Sequence, residues 1–110
     1  MKEALDQESK KALVDYRISR AFETLKEAEL LSNESFFNAA VNRLYYACYY
    51  AAVALLLKND IPAQTHNGVK TMLGLHFVSK GILSMEDGKI FSTLFEKRHS
   101  SDYDCTRRKK

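Results

Sequence analysis

The sequence predicts an all-α protein, an antiparallel up-and-down bundle of four main helices. Three observations predict it. One proline and four glycines in 110 residues leave few backbone interruptions, which favours long helices over a turn-rich β fold. Apolar residues recur at three- and four-residue steps, the spacing of one helix face. Break signals fall at 32–35, 59–62 and 81–84, so the connections are short and consecutive helices should be antiparallel neighbours.

The first helix should run from about Asp6 to Leu31. Ile18, Ala21, Leu25 and Ala28 form its apolar stripe, and Arg20, Glu23, Lys26 and Glu27 occupy the other side. Ser32-Asn33-Glu34-Ser35 breaks it, with Ser35 or Asn33 available to cap the next helix. That second helix, about Phe36 to Lys58, is apolar nearly all round. Phe37, Val41, Leu44, Cys48, Ala51 and Leu55 form one stripe, Tyr46, Tyr50, Val53 and Leu57 a second, and Tyr45, Tyr49 and Leu56 a third. Such a helix needs cover on nearly every side, so part of it should face a second subunit.

Pro62 ends the second helix and biases Ile61 away from helical geometry. Thr65 suits the cap of a third helix from His66 to about Ser79, with Val69, Met72, Leu73 and His76-Phe77 on its inner face and Gly81 as its left-handed terminator. A fourth helix should start at Ser84, with Asp87 three residues on, and pass through Ile90, Leu94 and Phe95 to about Arg98. Residues 1–104 then form one domain, and 105–110 form a basic, disordered tail.

The net charge of +3 is too small to argue for nucleic-acid binding, and much of it sits in Arg107-Arg108-Lys109-Lys110. The N-terminus has no apolar core of a signal peptide, and the run Ala51 to Leu57 is too short to span a bilayer. Cys48 and Cys105 have no CxxC or Cys/His spacing, which argues against a disulfide framework or zinc site. The expectation is a cytoplasmic protein with reduced thiols, no membrane segment, no metal and no cofactor.

Two polar features stand out. Arg43 interrupts the apolar second helix. It either snorkels to solvent along its methylene stem or is a buried guanidinium paired with Asp102 or Asp104, a structural pair being favoured over a catalytic one. The segment Glu96-Lys97-Arg98-His99-Ser100-Ser101-Asp102-Tyr103-Asp104 packs a guanidinium, two carboxylates and a phenol together. Arg98 offers a fork suited to carboxylate or phosphate, which Asp102 and Asp104 can hold in place. Among the histidines, His66 defaults to a solvent-exposed cap residue, or else helps bind an anion near exposed helix N–H groups. His76 reads as a core histidine, and His99 diverges from Arg98 by about 100° on a helix. No nucleophile–base–orienter triad or phosphate-cradling glycine loop is present in the sequence.

The chain resembles the HEPN (higher eukaryote and prokaryote nucleotide-binding) domain. The matching pieces are Tyr16-Arg17-Ile18 with Ala21 and Leu25, then Ala40-Val41-Asn42-Arg43-Leu44-Tyr45-Tyr46-Ala47, then Thr65-His66-Asn67-Gly68-Val69-Lys70. After them come Leu75-His76-Phe77-Val78-Ser79-Lys80-Gly81 and Arg98-His99-Ser100-Ser101-Asp102-Tyr103-Asp104. They occur in family order from about Ala12 to Asp104, and the chain looks most like the small stand-alone prokaryotic branch.

The resemblance implies a bundle that dimerises with the Arg98 region near the cleft. It also implies a minimal nucleotidyltransferase as partner in a two-component or toxin–antitoxin module. Catalytic members are metal-independent ribonucleases using an arginine followed four to six residues later by a histidine. Here Tyr103 stands where a histidine with four intervening residues would be, which removes the usual acid/base group. The family's final helix, after Asp-Tyr-Asp, is also missing.

The reading is therefore a HEPN-type dimeric interaction module that engages a nucleotidyltransferase and a nucleotide or RNA phosphate. Arg43 and Arg98 bind the anion or brace the cleft, Asp102 orients Arg98, Tyr46 and Tyr103 pack nearby, and His66 is a further candidate. The first alternative is a ribonuclease toxin using Arg98 with His99 or His66. The second is a nucleic-acid binder using the basic tail.

Overall fold

The computed structural model describes residues 6–108, with side chains described for residues 6–97. The architecture is all-α. Helix α1 spans Gln7–Asn33, α2 Phe37–Lys58, α3 His66–Leu73 and α4 Met85–Arg108, with a π-helical turn at Gly74–Val78 directly after α3.

Helix α1 starts where Asp6 accepts a hydrogen bond from the Ser9 amide at 2.7 Å, satisfying one of the orphan donors of the first turn. Its buried residues are Ala21, Thr24 and Ala28. The buried stripe is thus turned from the one expected: Ile18 and Leu25 are each 37% exposed, while Thr24 is fully buried. Burial of that hydroxyl is tolerated because it donates to the Arg20 carbonyl at 2.7 Å. Lys10 meets Asp60, Arg20 lies over Tyr50 and Glu27 meets Arg43, so early α1 faces late α2 and the two run antiparallel.

The corner between them is not built as expected. Neither Ser35 nor Asn33 caps α2, whose N-cap position is Phe36 with no side-chain bond. Ser35 instead adopts φ 68° and closes α1, with the Phe36 amide reaching back to the Leu31 carbonyl, a left-handed helix terminator. Asp60 (φ 58°) and Gly81 (φ 79°) repeat this device after α2 and after the π turn, with Ile61 bonded to Leu56 and Ile82 to Phe77.

Helix α2 is long and apolar enough to cross a membrane by length and composition, yet here it is the central helix, in contact with α1, α3 and α4. Every side chain from Val41 to Leu57 is buried or half-buried within the single chain. The most open apolar groups lie elsewhere: Phe22, Leu30, Phe36, Phe37, Leu75, Ile82, Met85 and Ile90.

The principal core joins Tyr45, Ala52 and Leu56 of α2 to Val69, Leu73 and Phe77, and to Phe91 of α4. Phe91, rather than the expected Ile90, is the buried anchor of α4. The third helix is not α-helical through Ser79 as expected. Its buried residues recur at strict four-residue steps (69, 73, 77), which drift by about 40° per step on an α-helix. A wider π turn over Gly74–Val78 offsets that drift and returns Phe77 to the core. Helix α4 begins with Ser84 capping Asp87 at 3.0 Å. Gly88 admits Val78, whose Cγ2 would lie 3.0 Å from any Cβ there. The helix also continues well past the expected end near Arg98, through Arg108, because no proline or glycine follows Gly88.

Candidate functional site

The site is built on the start of α3. Thr65 caps that helix, its hydroxyl accepting from the Gly68 amide at 2.8 Å, and so fixes His66 as the first helical residue. The imidazole is half-buried and its Nδ1 lies 2.7 Å from the hydroxyl of Tyr45. It stacks on Tyr49 at 4.3 Å and 10° and meets Tyr46 edge-on at 5.8 Å. The expected solvent-exposed cap histidine is instead a member of an aromatic cluster. The reason is geometric: Tyr45 and Tyr49 are one turn apart on α2, so both present rings to the same side.

Tyr45 is the centre of the cluster, with 0% of its surface exposed. Its ring also packs against Phe91 and Phe95, each at 5.8 Å. A phenol so deeply placed needs a partner for its hydroxyl, and His66 is one. The pair has two forms. Either the phenol donates to Nδ1 and the ring proton sits on Nε2, or Nδ1–H donates to the phenol and leaves the basic lone pair on Nε2.

Cations flank the rings on the outer side. The Arg43 guanidinium lies 5.4 Å from the Tyr46 ring, and its Nη1 is 3.2 Å from Glu27 of α1, with side chains 31% and 49% exposed. It is not a buried guanidinium. It snorkels to the surface, and an ion pair of that exposure is worth about 0–1 kcal/mol. Arg20 repeats the arrangement one turn along α2, 5.6 Å from the Tyr50 ring and 2.8 Å from Glu23. Lys70 of α3 covers Phe95 at 4.9 Å. Cation–π contacts of this kind hold the charges beside the aromatic faces. Burial raises the Tyr49 phenol above its ordinary range, partly offset by the nearby charge of Arg17.

Of the residues singled out in the sequence, the structure brings three together: Arg43, Tyr46 and His66. Arg98, Asp102 and Tyr103 follow Phe95 along the backbone of α4, and their side chains lie outside the described residues, as does that of His99. His76 is half-buried in the π turn, away from the core position taken by Phe77. Among the described residues no group of three or more His, Cys, Asp or Glu is placed to hold a metal ion.

Sequence reasoning missed Arg17, Arg20 and Tyr49. The signal was the three-residue step from Arg17 to Arg20, which shares an α1 face towards the tyrosines of α2. It was obscured because Arg20 reads as part of an ordinary solvated face.

A family model described as HEPN domain matches residues 14–109. The chain is 37% identical over 94 residues to a UPF0332 protein of Thermotoga maritima, covering 86% of this chain and 71% of that protein. It is 34% identical over 89 residues to Putative toxin MJ0142 of Methanocaldococcus jannaschii, covering 81% and 60%. To Putative toxin MJ0605 of the same organism it is 36% identical over 86 residues, covering 78% and 64%. The chain thus spans less than two thirds of the length of both M. jannaschii relatives. No solved structure matches.

Proposed function

The chain belongs to the HEPN domain family, and from that premise we propose that it is the HEPN component of a toxin-type two-component module. It acts as a cytoplasmic homodimer that engages a minimal nucleotidyltransferase and holds a nucleotide or RNA phosphate at Arg43, Tyr46 and His66. The toxin names of two relatives support the module. The observation that carries the ligand reading is the guanidinium of Arg43 over the Tyr46 ring, which itself meets His66 edge-on. A nucleotide offers the two groups such a surface takes: an anion for the cation and a π face for the rings. In this reading Arg98 supplies a second cation oriented by Asp102, with Tyr103 packing beside them.

The test is fluorescence polarisation with a labelled short single-stranded RNA, and with labelled ATP. Binding should weaken with salt and fall by about tenfold in Arg43→Ala, the loss of one charge-assisted contact. Unchanged affinity in both Arg43→Ala and His66→Ala removes the site. The partner is tested by co-purification with a small nucleotidyltransferase encoded beside the gene.

One observation favours a second reading, a ribonuclease toxin. The Tyr45 hydroxyl holds the His66 imidazole in a fixed orientation, as an acid/base group requires. Cleavage of RNA by the purified protein in a chelator, lost in both His66→Gln and Arg98→Ala, would establish it. Absence of cleavage leaves the binding module.

A further inference from the structure

Helices α1 and α2 leave an open groove of about 240 Å³ between them. Leu25 of α1 and Leu44 of α2 wall it, Ala47 and Ala51 keep its floor low, and the thiol of Cys48 is the least apolar group in the lining. Phe22 stands at the rim with 62% of its surface exposed. The same face continues along α2, where Phe37, Val41, Leu44, Cys48, Ala51 and Leu55 recur at three- and four-residue steps. None of these six is fully buried by the single chain. Apolar bands of this extent mark interaction surfaces.

We propose that two copies of the chain join through this face, each seating its Phe22 in the other's groove. The proposal rests on the homodimer reading and assigns it a surface. A second copy fits because knob and hole lie on one patch, the self-complementarity that a two-fold interface requires. A foreign partner would have to bring its own knob and would leave Phe22 in water. The sizes agree: an apolar cavity of roughly 150 Å³ already holds a benzene ring, so the groove admits a phenylalanine side chain. The area agrees as well. From Phe37 to Leu55 the face is about 27 Å long and two helices wide, roughly 500 Å² in projection. An uneven face presents more accessible surface than its projection, which brings it towards the roughly 800 Å² per partner of a standard interface. Cys48 lies two residues from Tyr46, about 200° around α2. Joining the copies here therefore leaves Arg43, Tyr46 and His66 of both open to a ligand.

The test is analytical ultracentrifugation across a dilution series, together with maleimide labelling of Cys48 in a Cys105→Ser chain, where it is the sole thiol. The wild-type chain should sediment as a dimer, and labelling of Cys48 should slow as concentration rises through the dissociation constant. Phe22→Asp should raise that constant about thirtyfold or more, the loss of a central aromatic anchor. Leu30→Asp should leave it unchanged, since Leu30 is equally exposed on α1 but turned about 140° from Leu25. Circular dichroism confirms that each variant is folded, and the labelling of Cys48 does not depend on either. A wild-type chain that stays monomeric overturns both this proposal and the homodimer reading. A dimer that persists in Phe22→Asp, dissociates equally in Leu30→Asp, or labels at Cys48 as fast as the monomer overturns this face alone.

Discussion

Helix α2 packs by opposite means on its two sides. Towards α1 it relies on small groups, with Ala21, Thr24 and Ala28 buried on α1 and Ala40, Ala47 and Ala54 at seven-residue steps on α2. Towards α3 and α4 it relies on rings, with Tyr45 enclosed by His66, Phe91 and Phe95. Alanines let two backbones approach and leave little behind but contact. Tyrosines and histidine fill the same kind of space yet retain hydroxyls, ring nitrogens and π faces. The difference teaches where chemistry can sit on this fold: on the ring side packing and polar groups share the same residues, whereas on the alanine side the packing is done by small groups and the polar contacts of Arg20, Glu27 and Arg43 lie at its partly exposed edge.

The largest effect expected from breaking this contrast is at Tyr45. Truncating a fully buried ring that organises several others should cost about 3–5 kcal/mol, a large part of the roughly 5–15 kcal/mol that holds a typical domain folded. Urea unfolding of Tyr45→Ala measures it. A cost near 1 kcal/mol would mean that the ring side is not the stabilising half of the molecule. On the alanine side the sign of the volume change reverses. Ala28→Leu forces extra methylenes between α1 and α2, where Ala28 is buried, and should cost about 1–3 kcal/mol. No loss would show that the seam is looser than its small residues imply.

A smaller effect, of the opposite direction, is expected on the alanine side at the corner joining α1 to α2. Ser35 holds φ 68°, a conformation that costs an ordinary L-residue about 1–2 kcal/mol and glycine much less. Its amide bonds to the Ser32 carbonyl and would be kept by glycine. Ser35→Gly should therefore raise stability by up to about 1 kcal/mol, the gain being reduced by glycine's greater freedom in the unfolded chain. A destabilised Ser35→Gly would show that the serine side chain contributes more than the strain it accepts.

The α-helices and their order were legible because caps and breaks are local. Asp6, Thr65 and Ser84 bond to amides three residues away, and Pro62 acts on its own neighbour. What could not be read were properties set across helices. Ile18 and Leu25 satisfy the apolar period yet lie at the edge of the interface, because alanines, not large residues, allow α1 to close on α2. The π turn answers the position of Phe77 in a core made by three other segments. At the site, Arg43 and Tyr46 were visible as a cation and a ring in one turn. The bond between His66 and Tyr45 spans 21 residues, and no local pattern announces it.

The smallest effect tests whether the two sides are energetically separate. Asp6 starts α1, and the Ser9 amide hydrogen bond holds its carboxyl below its ordinary value of 3.8. A folded-state pKa below the unfolded one means that ionised Asp6 stabilises the fold above the unfolded value. That contribution is lost as pH falls through the folded value. Asparagine caps helices about as well and does not titrate, so Asp6→Asn should flatten the acid limb of the stability–pH curve without altering the fold. Because Asp6 and Tyr45 share no partner among the described contacts, the difference between the two curves should be unchanged in a Tyr45→Phe background, as additivity of distant sites requires. If the acid limb changes shape in that background, the alanine seam transmits the state of the ring side to the start of α1, and the two halves of α2 act as one.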